Sequence, residues 1–262
     1  MQYGFIGCGN MGSAIAQALS QTTKAITLSD RSGKARDLAH CLGLLYADNT
    51  TIAETCDMIF LAVKPHQMRQ VLLPLQPILA QRKPVLISMA AGLTMGQIAD
   101  FAGTQLPVIR IMPNTPTALG KGVIPFCHNL LVAPEALANW QRDMAPCGLI
   151  DPLEEGLMDA ASALSGSGPA YVYVLLEALA DGAVACGLPR EKALRYAAMT
   201  LAGAAEMALQ TGTHPGALKD AVCSPGGSTI AGIRALEQHG FRAAAMDCVC
   251  AAYTKNKDLG KQ

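Results

Sequence analysis

The chain opens Gln2-Tyr3-Gly4-Phe5-Ile6-Gly7-Cys8-Gly9-Asn10-Met11-Gly12, followed by Ser13-Ala14-Ile15-Ala16-Gln17-Ala18-Leu19, and this stretch decides the fold. Residues 2–6 read as a short buried strand and residues 14–19 as a helix, because β-branched and aromatic residues suit strands and Ala and Leu suit helices. Between them stand three glycines in the spacing GxGxxG. The first glycine permits a tight turn, the second lets a pyrophosphate approach the backbone, and the third lets the helix pack closely on the strand. The helix N-terminus then faces the phosphates with unpaired N–H groups and a positive dipole end. The spacing alone is common, but its place between strand and helix at the start of a βαβ unit specifies a dinucleotide loop. That loop comprises Gly7, Cys8, Gly9, Asn10, Met11 and Gly12. Cys8 reads as a loop-filling thiol rather than a reactive one.

Further apolar runs at 25–28, 58–63, 85–88, 108–112 and 122–126 alternate with helical patterns, which argues for a doubly wound, mostly parallel sheet of Rossmann type. The character changes near residue 150. Val and Ile together number 18 in residues 1–150 and 7 in residues 151–262, while Ala rises from 19 to 24 in that shorter part. We therefore divide the chain into an α/β domain, 1–150, and an all-helical domain, 151–262. The helical part is punctuated at 165–169, 187–189, 212–215 and 224–227, with Pro169 opening a long helix. Its most apolar stretch, 170–187, carries Glu177 and Asp181 and reads as a buried helix rather than a membrane span.

The composition narrows the function. Of 262 residues, 51% are hydrophobic and 15% charged, and 20 basic residues balance 20 acidic ones. Such a chain folds and has no sustained positive field for nucleic acid or anionic lipid. The first domain holds 11 basic and 8 acidic residues and the second 9 and 12, so they carry +3 and −3, a mild preference for an anionic ligand on the first. The N-terminus lacks the basic segment of a secretory signal, and the nine cysteines fall into no zinc spacing. They are expected to be free thiols, mostly small core residues, in a cytoplasmic protein. No metal site is expected.

The second strand ends at Ser29-Asp30-Arg31-Ser32, where such folds meet the adenosine ribose. An acidic residue there suits the ribose hydroxyls of NAD, and Arg with Ser suits the 2′-phosphate of NADP. Asp30 and Arg31 point to opposite answers; the pair Arg31 and Ser32 favours NADP, with Asp30 turned aside in the loop. The segments Ala62-Val63-Lys64-Pro65-His66 and Met112-Pro113-Asn114-Thr115-Pro116 follow strands at the end of the sheet where ligands bind. In the helical part, Ser224-Pro225-Gly226-Gly227-Ser228-Thr229 precedes a helix. It reads either as a carboxylate site built from N–H groups and hydroxyls or as a Ser/Thr cap.

Taken together these motifs resemble the pyrroline-5-carboxylate reductase family. The likeness extends through Leu164-Ser165-Gly166-Ser167-Gly168-Pro169-Ala170-Tyr171, Leu188-Pro189-Arg190, His214-Pro215-Gly216 and Leu218-Lys219-Asp220 to residues 224–229, the most diagnostic block. Ser228 departs from the Thr of many relatives but keeps a hydroxyl. The resemblance implies reduction of (S)-1-pyrroline-5-carboxylate to L-proline with NADPH, or NADH, by a homodimer that can build larger rings of dimers. It implies that residues 7–12 hold the pyrophosphate, Arg31 and Ser32 the adenosine phosphate, and Asn49 the adenosine ribose. Ala62, Val63, Lys64, Pro65 and Asn114 lie beside the cofactor's reactive end. Thr229 bonds the substrate ring nitrogen, and Ser224, Gly226, Gly227 and Ser228 surround its carboxylate. The alternatives are a 3-hydroxyacid dehydrogenase of the same architecture, disfavoured because residues 169–187 contain no Lys to serve as acid, and a non-catalytic dinucleotide sensor.

Overall fold

A computed structural model describes residues 1–259. Its eight strands are β1 (Tyr3–Ile6), β2 (Ile26–Ser29), β3 (Leu45–Tyr46), β4 (Met58–Leu61), β5 (Val85–Ser88), β6 (Val108–Ile111), β7 (Gly122–His128) and β8 (Gly148–Pro152). They form one sheet in the order β3-β2-β1-β4-β5-β6-β7-β8. Every pairing is parallel except β6 with β7. The helices are α1 (Asn10–Leu19), α2 (Lys34–Leu42), α3 (Asn49–Thr55), α4 (Met68–Leu72), α5 (Gln76–Arg82), α6 (Met95–Ala102), α7 (Pro134–Met144) and α8 (Met158–Ala161). They continue as α9 (Gly168–Ala185), α10 (Arg190–Thr211), α11 (Pro215–Ala221), α12 (Ser228–Gln238) and α13 (Phe241–Leu259). The doubly wound reading of the first part and the helical reading of the second both hold.

The central strands are apolar along their length because both faces of the sheet are covered. Successive side chains point to opposite faces. Tyr3, Phe5, Met58, Phe60 and Ile87 therefore join one core with Ile15, Leu19 and Trp140, and Ile6, Ile59, Leu61 and Leu86 join another with Ile52, Leu72 and Ile98. Phe5 and Phe60 stack at 4.3 Å between centroids. On the first face, the buried Tyr3 hydroxyl donates to Asp143 Oδ2 at 2.7 Å, tying the first strand to α7.

Two strands escape sequence reading. β3 has only two residues, both exposed, and β8 is a largely exposed edge strand that ends on a proline; neither shows a buried apolar run. The compact units also divide later than the composition suggests. One comprises Met1–Ser167 with the described residues from Ala252, and the other Gly168–Ala251. The strands do end at Pro152, but residues 155–167 belong to the first unit through polar contacts. Glu155 Oε1 accepts from the Met95 N–H at 2.8 Å, the buried Arg110 guanidinium lies 3.5 Å from both Glu155 and Asp159, and Asn256 Nδ2 donates to the Asp159 carbonyl.

The expected break at 165–169 is instead a π-turn, Ser162–Gly166, closed by the Ser167 N–H donating to the Ser162 carbonyl and running into α9. Within the single chain, the expectation of a buried helix over 170–187 is not met. Ala180 is the buried residue of α9, whereas Tyr173 is 62% and Val174 68% exposed. Within the second unit, α9 and α10 meet through Ala180, Ala193 and Ala197, and residues this small cannot cover the large apolar side chains around them. Among the described residues no helix is long and apolar enough to cross a membrane, and no cluster suits a metal ion. The cysteines are core residues only in part: Cys8, Cys56, Cys127 and Cys147 are buried, while Cys41, Cys186 and Cys250 are exposed.

Two stability measurements follow from this core. Tyr3→Phe keeps the ring but deprives the buried Asp143 carboxylate of a donor; urea unfolding at fixed protein concentration is expected to show a loss of about 1.5–3 kcal/mol. Burial also pushes the Cys147 thiol up to about 12, well above the ~8.5 of a free thiol. Above pH ~8.5 the unfolded chain releases this proton while the folded chain keeps it, so stability is full below that pH and falls as pH rises toward about 12. Cys147→Ala is expected to flatten the decline measured between pH ~8.5 and ~10.5; an unchanged slope contradicts the assignment.

Candidate active site

The opening turn is built by contact as well as by conformation. Gly7 has φ +100°, and a Cβ there would lie 2.6 Å from the Ala62 carbonyl oxygen. A Cβ on Gly12 would meet the Gly7 carbonyl oxygen at 2.6 Å and the Ala62 side chain at 2.9 Å. These two glycines are thus required by the protein itself, which must bring α1 against the ends of β1 and β4. Gly9 is different. It has φ −69°, which any residue adopts, and a Cβ on it would meet nothing within 4 Å. Gly9 therefore leaves open space beside the N-terminus of α1, whose first turn has no acidic residue and no side-chain cap.

That space belongs to a cavity of about 1160 Å³ along the ends of β1, β2, β4 and β5. Its walls include Gly7, Cys8, Gly9, Asn10, Met11, Gly12, Arg31, Ser32, Asn49, Ala62, Val63, Lys64 and Pro65. With the exception of Asn114, every residue of the first domain assigned to a cofactor from sequence meets here. The size, the free N–H groups of a helix start and the basic side chains at one end fit a dinucleotide. Cys8 is buried, and burial with the Asp30 charge nearby pushes its thiol up to about 12. It is an inert part of the loop.

At the adenosine end, Asp30 is turned into its own loop as the sequence reading expected. Its Oδ1 accepts from the Gly33 N–H at 3.0 Å and its Oδ2 from the Ser32 hydroxyl at 2.7 Å. Arg31 is exposed. Asn49 Oδ1 accepts from the Ser29 hydroxyl at 2.7 Å, an arrangement that leaves the amide nitrogen to donate elsewhere. Sequence reasoning missed Lys34, the first residue of α2, which lines the same end. A basic residue three positions beyond Arg31, across a turn that Gly33 makes with φ +83°, was the available signal.

Asn114 does not line the cavity. It is buried, its Nδ2 donates to the Ser165 carbonyl at 2.9 Å, and its Oδ1 accepts from the Val123 N–H at 2.9 Å. Both ends of the amide brace the backbone, and its neighbour Pro113 reaches the cavity wall instead.

In the second unit, Gly226 takes φ +67° and turns residues 224–227 into α12. The cap of that helix is Gly227, with no side-chain hydrogen bond. The reading of the hydroxyls as a helix cap is thereby set aside. Gly227 donates its own N–H to the Ser224 carbonyl at 3.0 Å, so the N–H groups that a helix start leaves unpaired are those of Ser228, Thr229 and Ile230. Ser228 and Thr229 are exposed, and among the described residues the Thr229 hydroxyl has no hydrogen-bond partner.

Comparison with known proteins identifies the family. Residues 155–259 match the model for pyrroline-5-carboxylate reductase dimerisation, and residues 2–92 match that for NADP oxidoreductase, coenzyme F420-dependent. Pyrroline-5-carboxylate reductase of Escherichia coli (strain K12) is 39% identical over 264 residues, covering 98% of each chain. That of Pisum sativum is 38% identical, covering 98% of this chain and 95% of the relative. Among solved structures, a pyrroline-5-carboxylate reductase from Coxiella burnetii superposes with a TM-score of 0.92 at 34% identity, covering 100% of this chain and 99% of that one. Pyrroline carboxylate reductase from Plasmodium falciparum with NADP bound gives 0.87 at 33% identity, covering 99% and 98%. On this full-length similarity, the chain belongs to the pyrroline-5-carboxylate reductase family.

Proposed function

We propose that this protein reduces (S)-1-pyrroline-5-carboxylate to L-proline with NADPH, the last step of proline synthesis, as a cytoplasmic homodimer able to join into rings of dimers. The observation that carries the cofactor half is Gly9, a glycine that neither backbone conformation nor protein packing requires and that borders a dinucleotide-sized cavity. When bound, the cofactor supplies a hydride at its nicotinamide. The chain's residues orient the two reactants. N–H groups at the start of α1 hold the pyrophosphate, Asn49 donates to the adenosine ribose, and Arg31 and Lys34 neutralise the 2′-phosphate. Ala62, Val63, Lys64 and Pro65 shape the wall beside the reactive ring, and Asn114 keeps Pro113 in place behind it.

The unpaired N–H groups of Ser228 and Thr229, with the Ser224 and Ser228 hydroxyls around the Gly226-Gly227 turn, hold the substrate carboxylate. The Thr229 hydroxyl bonds the ring nitrogen. An iminium substrate already carries its proton, so the hydride adds to carbon while the C=N π pair passes to nitrogen, and no acid has to be supplied. This agrees with α9, which contains neither Lys nor His. A ketone would leave an alkoxide in need of such a group.

Two substitutions test the reading. Arg31→Ala is expected to lower kcat/KM with NADPH by about 1.5–3 kcal/mol and to change it little with NADH; equal losses with both would remove Arg31 from the phosphate. Thr229→Val preserves shape and deletes the hydroxyl. It is expected to lower kcat roughly ten- to a few-hundredfold while NADPH affinity stays within about twofold. Wild-type kcat and KM in that variant would place the substrate site elsewhere.

A further inference from the structure

We propose that Ser32 sets cofactor choice indirectly, by locking the Asp30 carboxylate into its own turn and away from the adenosine ribose. This rests on the dinucleotide reading above and changes the role of Ser32 within it. The sequence pairs Ser32 with Arg31 as a direct phosphate ligand. A serine hydroxyl has one proton to donate, and here it is donated to Asp30 Oδ2 at 2.7 Å. To donate to a phosphate, Ser32 would have to release Asp30.

Asp30 follows the last residue of β2, the place from which an acidic side chain accepts the ribose hydroxyls of an unphosphorylated dinucleotide. It lines the cavity together with Arg31, Ser32 and Lys34. Both of its oxygens face inward along the chain, one toward the Ser32 hydroxyl and the other toward the Gly33 N–H at 3.0 Å. The second contact closes the turn from Asp30 to Gly33, and Gly33, at φ +83°, then leads the chain into α2. The other carboxylate on the cavity wall, Asp48, caps α3 and accepts from the Thr51 N–H at 2.8 Å. Arg31 and Lys34 have no ion-pair partner among the described residues. The adenosine end thus presents two unpaired cations and a carboxylate already turned to two donors of its own loop, a balance that favours a 2′-phosphate over two ribose hydroxyls. Freed from Ser32, the Asp30 carboxylate would recover the acceptor role and place its negative charge against a phosphate.

Equilibrium binding of NADH and NADPH to the full-length protein without substrate, read by nicotinamide fluorescence, tests this. Ser32→Ala is expected to tighten NADH about three- to tenfold and to weaken NADPH by a similar factor. Ser32→Thr, which keeps the hydroxyl, should retain the wild-type ratio. The NADH gain should vanish when Asp30→Asn is added to Ser32→Ala, because the amide lacks the anionic acceptor. Weakened NADPH with unchanged or weaker NADH in Ser32→Ala would show Ser32 to be a direct phosphate ligand and overturn the lock. A gain that persists in the double variant would overturn it too. Failure of the wild-type protein to bind either dinucleotide would instead overturn the cofactor reading on which the inference rests.

Discussion

Everything at the cofactor end depends on how closely the backbone after β1 approaches the backbone after β4. The Ala62 N–H donates to the Ile6 carbonyl at 2.9 Å and the Gly7 N–H to the Ser29 carbonyl at 2.8 Å, so the three strand ends are stitched together where the order of the sheet reverses. Side chains at positions 7 and 12 would force these ends apart by colliding with Ala62. The gap that α1 leaves as it turns away over Gly9 is the start of the cavity. One constraint thus fixes the crossing of α1 over the sheet, the aim of its N-terminus and the place where a ligand can enter.

The second unit answers to a different constraint. Its long helices are joined by alanines, and large side chains such as Tyr173, Val174 and Met199 remain on the surface. Burial of such side chains is the main favourable term in folding, so a single copy leaves much of that stabilisation unrealised. The match of residues 155–259 to a dimerisation model accounts for the composition that first marked this part as helical. Alanine lets helices approach closely, and the apolar surface left over is what another chain would cover.

Much of this was legible in the sequence because it rests on local rules. Short continuous apolar runs marked β1, β4, β5 and β6; the glycine spacing marked the turn, and Asp30 was expected to turn aside. What stayed hidden depends on neighbours distant in sequence. β3 and β8 are strands because an adjacent strand pairs with them, not because their residues demand it. The apolar run at 170–187 reads as buried in any window of sequence, and nothing local says that burial awaits a second chain. Asn114 sits in a loop at the ligand end of the sheet, yet both ends of its amide are engaged by Ser165 and Val123, contacts only the folded chain discloses. Lys34 was missed because a charged residue at the start of a helix reads as solvated surface until the turn at Gly33 brings it to the cavity.

The central claim is that hydride passes from NADPH to the imine carbon of a cyclic amino-acid precursor. The most direct measurement incubates the purified protein with 1-pyrroline-5-carboxylate and NADPH deuterated at the transferring position, and then analyses the product by chiral chromatography and mass spectrometry. The account predicts L-proline carrying one deuterium on the ring carbon that bonds nitrogen and is remote from the carboxylate. NADPH oxidation without labelled proline, or turnover of a 3-hydroxyacid in place of the imine, would contradict it.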